Sequence, residues 1–152
     1  MGFFRGKQMK EDSIKGWLKS KAIRNRQLDK EKVKSMINSA EINVEGTKNI
    51  QLNDKTATLI FREIYEAIRQ LGDAKWWLLG YEPSNHWISL EALKDFDIKE
   101  KLKLNSLDRF KKIRHDINYR GFRATIQQAD EILDFWIKCG DEIVNLLKKD
   151  VE

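Results

Sequence analysis

Residues 124–149, ATIQQADEILDFWIKCGDEIVNLLKK, carry the clearest pattern in this chain of 152 residues. Apolar side chains recur there at alternating steps of three and four residues, which is the spacing of one face of an α-helix. These positions are Ile126, Ala129, Leu133, Trp136, Gly140, Ile143 and Leu147. At 1.5 Å per residue such a helix spans roughly 39 Å, enough to run the length of a helical bundle. The stretch therefore predicts a long final helix packed against other helices.

Earlier segments show the same period between residues that are typical of helix ends. A continuous stripe from Ala57 to Leu71 predicts a long helix that runs to Leu79 and bends at Gly72. The candidate caps and terminating turns are Asp29, Asn53 or Asp54, the turn 80–85, Ser84 or Asn85, Ser106 and Gly121. No segment alternates convincingly with the two-residue period of a strand. We predict an all-α fold, an antiparallel helical bundle of about five helices over residues 29–152, preceded by a basic N-terminal arm or short helix over 1–28.

Composition excludes several classes of protein and site. One cysteine, Cys139, cannot form an intramolecular disulfide, and no stretch approaches the eighteen apolar residues of a membrane span. The two histidines lie far apart in sequence, and Cys139 has no neighbour at metal-ligand spacing. Glycine-rich phosphate loops and nucleophile elbows are missing from the sequence. We therefore expect a soluble cytoplasmic protein with no metal, no cofactor and no membrane partner.

The positive charge is concentrated in two segments. Residues 1–34 hold eleven Lys and Arg against four acidic residues, and residues 99–123 hold nine against three, whereas the rest has a net charge of −8. Two basic segments on an otherwise acidic chain are typical of a surface that binds a polyanion such as nucleic acid. Solvated helix faces would give the same distribution, so charge alone leaves both interpretations open.

The second basic segment contains residues 108–121, DRFKKIRHDINYRG. On a helix of about 100° per residue, Phe110, Ile113 and Ile117 form the buried face. Beside that face lies a polar strip of Lys111, Arg114, His115 and Asn118, with Tyr119 at its margin. Arg109 projects from the other side of the helix.

This strip has the chemical groups that a phosphodiester site requires. A guanidinium such as that of Arg114 matches phosphate oxygens in a planar fork. Imidazole, with an ordinary pKa of about 6.5, suits proton transfer near neutrality, which makes His115 a candidate. A phenol, with an ordinary pKa near 10, is a poor base but a fair hydrogen-bond donor. The alternative is structural, with Arg114 reaching from the edge of the core to an ion pair with Glu63 or Glu66.

The segment Arg114-His115-Asp116-Ile117-Asn118-Tyr119 resembles the motif of the HEPN family, small helical domains with an Arg-x(4–6)-His motif. The Arg, the polar residue after it and the spacing agree. Residues 61–69, FREIYEAIR, then Leu79-Gly80-Tyr81 and Ser84-Asn85-His86 also resemble the middle of prokaryotic members. The similarity covers roughly residues 30–149.

The resemblance implies a homodimer in which two motif helices face each other across a basic cleft. Many members are metal-independent endoribonucleases, often toxins paired with a minimal nucleotidyltransferase antitoxin, while others only bind RNA, nucleotides or a partner protein. In active members the Arg holds the scissile phosphate and the His moves protons. The resemblance thus predicts RNA binding here and leaves two alternatives, an endoribonuclease or a non-catalytic binding module.

The sequence departs from the motif at Tyr119, where catalytic members have His. An Arg109-x5-His115 spacing would satisfy the motif, but those two side chains project about 120° apart on a regular helix. The catalytic candidates are therefore Arg114, His115 and Tyr119. The candidates for binding RNA or phosphate are Lys111, Lys112, Asn118 and Arg120.

Overall fold

Helices form most of the chain in the computed structural model, which describes the backbone of residues 2–152 and the side chains of residues 11–152. The helices are α1 (Gly2–Lys19), α2 (Lys30–Thr47), α3 (Ala57–Leu78), α4 (His86–Ser89), α5 (Leu107–Arg120), α6 (Ile126–Phe135) and α7 (Asp141–Val151). Turns of 3₁₀ helix cover Leu90–Leu93 and Lys101–Ser106, and a π-helical turn covers Trp136–Gly140. Two short strands, β1 (Ile23–Asn25) and β2 (Tyr81–Pro83), complete the fold. The all-α prediction is confirmed.

The long final helix is confirmed with one irregularity. It begins at a capping box, in which Thr125 accepts from the Gln128 amide and the Gln128 side chain accepts from the Thr125 amide. The π turn joins α6 directly to α7, so the two helices form one continuous helical segment. Within the turn, Gly140 packs against the Trp136 ring, where an added Cβ would lie 2.7 Å from the ring. Only glycine allows this contact.

Helix α3 lies at the centre of the main core. Its predicted apolar stripe is buried throughout, and it packs against α2, α5, α6 and α7. Aromatic rings link α3 to α5 and α6, since Phe61 meets Phe110 edge-on at 6.1 Å and Phe110 meets Phe135 at 5.5 Å. Gly72 marks a close approach to α4, because an added Cβ would lie 2.1 Å from the Ser89 carbonyl oxygen.

A two-stranded antiparallel sheet is the main departure from the prediction. The segment predicted as a turn, 80–85, contains β2, which pairs with β1 in the register Ile23↔Pro83, Arg24↔Glu82 and Asn25↔Tyr81. Each strand has three residues, too few to show a two-residue alternation, and its partner is distant in sequence. The sequence pattern had no local signal for this pairing.

The N-terminal segment packs beside this sheet. Trp17 of α1 meets Trp76 of α3 edge-on at 5.7 Å, within a second apolar cluster built around Ala22, Ile23 and Ile88. Of the predicted basic arm over residues 1–28, the side chains of residues 1–10 lie outside the described part.

The predicted caps met different outcomes. Asp29 is confirmed, since its carboxylate accepts from the Lys32 amide at 3.0 Å. Asn53 accepts from the amides of Lys55 and Thr56, and thereby closes the turn that leads into α3. Ser106 stands at the predicted N-cap position of α5, but a 3₁₀ turn runs directly into the helix and the Ser106 side chain makes no capping bond. Within residues 2–152, no helix combines the length and the apolar character needed to cross a bilayer.

Candidate functional site

A surface cavity of about 630 Å³ opens between α3, the start of α4 and α5. Six of the seven predicted site residues line it, and they are Lys111, Lys112, Arg114, His115, Asn118 and Tyr119. The seventh, Arg120, is exposed at the end of α5 and is not part of the lining. The other lining residues are Tyr65, Glu66 and Arg69 of α3, Asn85, His86 and Trp87 at the start of α4, and Asp108.

Helix α5 presents its polar strip to the cavity because its other face is held in the core. Leu107, Phe110 and Ile117 are buried and Ile113 packs against them, as the helical projection predicts. The helix ends at Gly121, whose φ of 69° is the left-handed conformation that glycine adopts without strain. The strip therefore lies on a helix whose apolar face is held in the core and whose C-terminal end is set by Gly121.

The guanidinium of Arg114 has no carboxylate partner among the side chains of residues 11–152. The predicted alternative, an ion pair with Glu63 or Glu66, is wrong, because Glu66 instead accepts from Arg69. The Nε–H of Arg114 is buried and has no acceptor among residues 11–152. A buried donor without a partner costs about 1–3 kcal/mol, and the unpaired guanidinium borders the cavity, where an anionic ligand would lower its free energy.

A network of charged side chains on α3 borders the cavity. Arg69 donates to Glu66 and, at 2.8 Å, to Asp73, and the Ser89 hydroxyl donates to the other oxygen of Asp73. The bond from Arg69 lowers the pKa of the Glu66 carboxyl, and the charges of His86 and Arg114 lower it further. Burial raises the pKa of Asp73, which the Ser89 bond and the charges of Arg69 and His86 offset only in part. The carboxylates on this side are therefore already engaged.

Both histidines of the chain line the same cavity. His115 lies on α5, where its ring stacks obliquely on Tyr119 with centroids 4.7 Å apart. His86 is the first residue of α4. We predicted no site role for His86, because the path that brings α4 to the cavity has no signal in the local sequence.

Trp87 contributes an exposed aromatic side chain to the cavity. Trp76, Trp77 and Trp136 are buried, whereas Trp87 is 45% exposed at the mouth of the cavity. The ammonium group of Lys111 lies 5.9 Å from the Trp87 ring centroid. An exposed indole beside a cation can stack on a nucleic-acid base.

The remaining cations of α5 differ in how they are paired. Lys112 contacts Asp116 at 3.2 Å, and Lys111 lies 3.8 Å from Glu91. Arg109 forms an ion pair with Glu131 of α6, away from the cavity. The geometry thus agrees with the projection that separated Arg109 from His115.

Arg62 extends the polar surface of α5 toward α3. Its guanidinium donates to the Asn118 side-chain oxygen at 3.1 Å. The amide group of Asn118 is thereby oriented with its nitrogen free to donate to a ligand.

Seven residues that line the cavity had no predicted site role, and Tyr65, Arg69, His86 and Trp87 are among them. Tyr65 belongs to the apolar stripe of α3, and its ring contacts the cavity only at the edge of the core. The four-residue spacing between Tyr65 and Arg69 was the one sequence signal that these two side chains share a surface, since it places both on neighbouring turns of the same helix face.

Comparisons with known proteins do not identify a relative. No protein-family model matches the chain, and no similar curated protein or solved structure was found. Among residues 11–152, no group of three or more His, Cys, Asp or Glu side chains is arranged to hold a metal ion. Function is therefore argued from the cavity itself.

Proposed function

We propose that this chain is a HEPN-type RNA-binding protein whose cavity between α3, α4 and α5 holds an RNA phosphodiester, and that it is a metal-independent endoribonuclease. The observation that carries the proposal is the guanidinium of Arg114, which borders the cavity next to His115 and is unpaired by any carboxylate of residues 11–152. A phosphate in the cavity would supply the negative charge that this guanidinium lacks among residues 11–152.

Other cavity groups support an elongated polyanion over a single small anion. Lys111 lies on the same strip as Arg114, Lys112 also lines the cavity, and Trp87 offers a stacking surface at the mouth. Cations that contact phosphates release counterions, so the proposed binding weakens steeply as salt is raised. The resemblance to HEPN proteins contributes the expectation of cleavage through the ribose 2′-hydroxyl.

The test compares Arg114→Ala with Arg109→Ala on the same helix. Both variants remove one guanidinium, but Arg109 is paired with Glu131 outside the cavity. We expect the unaltered protein to cut structured RNA in EDTA, giving 2′,3′-cyclic phosphate and 5′-hydroxyl ends. Arg114→Ala should abolish cutting and lower affinity for an uncleavable 2′-O-methyl RNA, while Arg109→Ala should change neither.

The outcomes separate the alternatives. Equal losses in both variants would show a nonspecific charge effect and overturn the assignment of Arg114. Helical circular dichroism spectra of both variants control for folding. Absence of salt-sensitive binding in the unaltered protein would overturn RNA binding altogether.

A non-catalytic HEPN module that binds a nucleotide, nucleic acid or a minimal nucleotidyltransferase antitoxin is the second candidate. Tyr119 favours it, because this phenol occupies the position of the catalytic His in active members and is 77% exposed. A phenol with an ordinary pKa near 10 is a weak base at neutral pH. RNA binding without cleavage in EDTA would support this candidate over the nuclease.

We also propose that the protein forms a homodimer through the end of α5. Three large apolar side chains are exposed there, Tyr119, Phe122 and Ile126, with exposed fractions of 77%, 55% and 40%. A second copy would cover them and bring two motif helices together. Sedimentation equilibrium should show a dimer that Phe122→Ser weakens; a monomer at micromolar concentration would overturn this part.

A further inference from the structure

The two histidines line the same cavity and belong to separate helices. His115 projects from the middle of α5, whereas His86 begins α4 immediately after strand β2. The close approach of Ser89 to Gly72, and the bond from Trp76 Nε1 to the Ile88 carbonyl at 2.8 Å, hold the second half of α4 against α3. His86 is thus positioned by the fold and not by a flexible loop.

We propose that His86 is the second proton-transfer group of the ribonuclease site, acting as general acid opposite His115 as general base. This inference rests on the proposed function. It assigns to α4 the imidazole that active HEPN proteins have in the motif and that Tyr119 replaces here.

The charges around the two rings support this division of roles. Glu66 and Asp73 lie close enough to His86 for its charge to act on both carboxyls. His115 follows Arg114 directly in sequence, and Lys111 and Lys112 of the same helix also line the cavity. We therefore assign the acid to the histidine beside the two carboxylates and the base to the histidine on the helix that carries these three cations.

The proposed step balances without a metal or co-reactant. Neutral His115 takes the proton of the ribose 2′-hydroxyl while that oxygen forms a bond to phosphorus. The bond from phosphorus to the 5′-oxygen breaks, and His86, as imidazolium, gives its proton to the departing oxygen. The products are a 2′,3′-cyclic phosphate and a 5′-hydroxyl, with His115 protonated and His86 neutral. Arg114 holds the non-bridging oxygens during the transfer.

A change of leaving group tests the role of His86. When sulfur replaces the bridging 5′-oxygen of the RNA, the leaving group departs as a thiolate, which needs no proton from the enzyme. His86→Ala and His86→Gln should cut ordinary RNA at least about 100-fold more slowly than the unaltered protein. Both should cut the 5′-thio substrate within about threefold of it, whereas His115→Ala should be slow on both substrates.

Each outcome bears on one proposal. If the unaltered protein cuts RNA and His86→Ala cuts ordinary RNA equally fast, the inference about His86 is wrong and the proposed function stands. A loss in His86→Ala that the 5′-thio substrate does not relieve would also overturn the acid role. If the unaltered protein binds 2′-O-methyl RNA but cuts neither substrate, the histidine pair is overturned and the binding module remains. Failure to bind RNA at all would overturn both proposals.

Discussion

The guanidinium of Arg114 on α5 lies over the ring of Tyr65 on α3, 5.9 Å from its centroid. Tyr65 is itself buried and stacks on Phe61, with ring centroids 6.4 Å apart. Burial raises the pKa of Tyr65 to about 12, although the charge of Arg114 acts in the opposite direction. The ring therefore stays neutral and offers its face to the cation, which links the position of the guanidinium to the core.

Replacing the ring of Tyr65 should weaken RNA binding through Arg114. Tyr65→Phe keeps the aromatic face and should leave affinity nearly unchanged. Tyr65→Leu removes it, and we expect a loss of about two- to fivefold, the equivalent of about 0.5–1 kcal/mol of cation–π attraction. Fluorescence anisotropy with labelled 2′-O-methyl RNA measures both. An equal loss in the two variants would point to the hydroxyl group instead of the ring face.

Trp87 should contribute stacking to the binding of single-stranded RNA. Its indole is exposed at the cavity mouth, and base stacking on an aromatic ring is worth about 1–3 kcal/mol per base. Trp87→Leu should thus weaken binding at least about fivefold, while Trp87→Phe retains part of the affinity. Unchanged affinity in Trp87→Leu, measured in the same anisotropy assay, would remove Trp87 from the binding surface.

Local periodicity explains why most of the fold was predictable. The stripes of α3, α5 and the final helix depend only on residues three and four apart, and those helices lie where the stripes indicated. The pairing of β1 with β2 depends on contacts such as Arg24 to Glu82, 58 residues apart. Three-residue strands have no periodic signal, so this element required the tertiary structure.

The candidate site likewise has one side that the sequence predicted and one side that it did not. Its α5 side followed from one helical projection, because Lys111, Arg114, His115 and Asn118 share a strip of one element. The α4 side depends on where the pairing of β1 with β2 and the contact at Gly72 place α4. Sequence spacing contains no information on that path, so His86 and Trp87 entered the site only through the structure.

The pairing of Glu82 with two arginines should make stability depend on pH. The bonds from Arg26 and Arg24 hold the pKa of Glu82 below its ordinary value of 4.5. The pKa of Glu82 is lower in the folded than in the unfolded protein. Its contribution to the free energy of unfolding is therefore present above pH 4.5 and is lost as the pH falls through the folded pKa. Because the side chain is 25% exposed, Glu82→Gln should cost about 0.2–1 kcal/mol near neutrality. Urea unfolding should show that the difference in free energy of unfolding between Glu82→Gln and the unaltered protein vanishes in acid. A difference that stays constant at every pH would contradict its origin in the ion pair.

Cys139 should be unreactive in the folded protein. Its thiol is fully buried, and burial raises its pKa from 9.0 to about 11, so the thiolate fraction at pH 8 falls about 100-fold. Reaction with Ellman's reagent should therefore be at least about 100-fold slower in buffer than in denaturing urea. Rapid modification of the native protein would show that the final helix opens at its π turn.

Gly72 and Gly46 should respond oppositely to the same added methyl group. A Cβ at Gly72 would lie 2.1 Å from the Ser89 carbonyl oxygen, whereas nothing lies within 4 Å at Gly46 of α2. Gly72→Ala should lower the free energy of unfolding by about 1–3 kcal/mol through overpacking. Gly46→Ala should raise it by about 0.5–1 kcal/mol, because alanine loses less backbone entropy in a helix. Urea titrations of both variants measure these changes.

Gly72→Ala should also weaken RNA binding, since the methyl group pushes α4 away from α3 and moves His86 and Trp87 with it. Gly46→Ala, on a helix that does not border the cavity, should leave RNA affinity unchanged. If Gly72→Ala lost stability but bound 2′-O-methyl RNA as tightly as the unaltered protein, the position of α4 would have no part in binding.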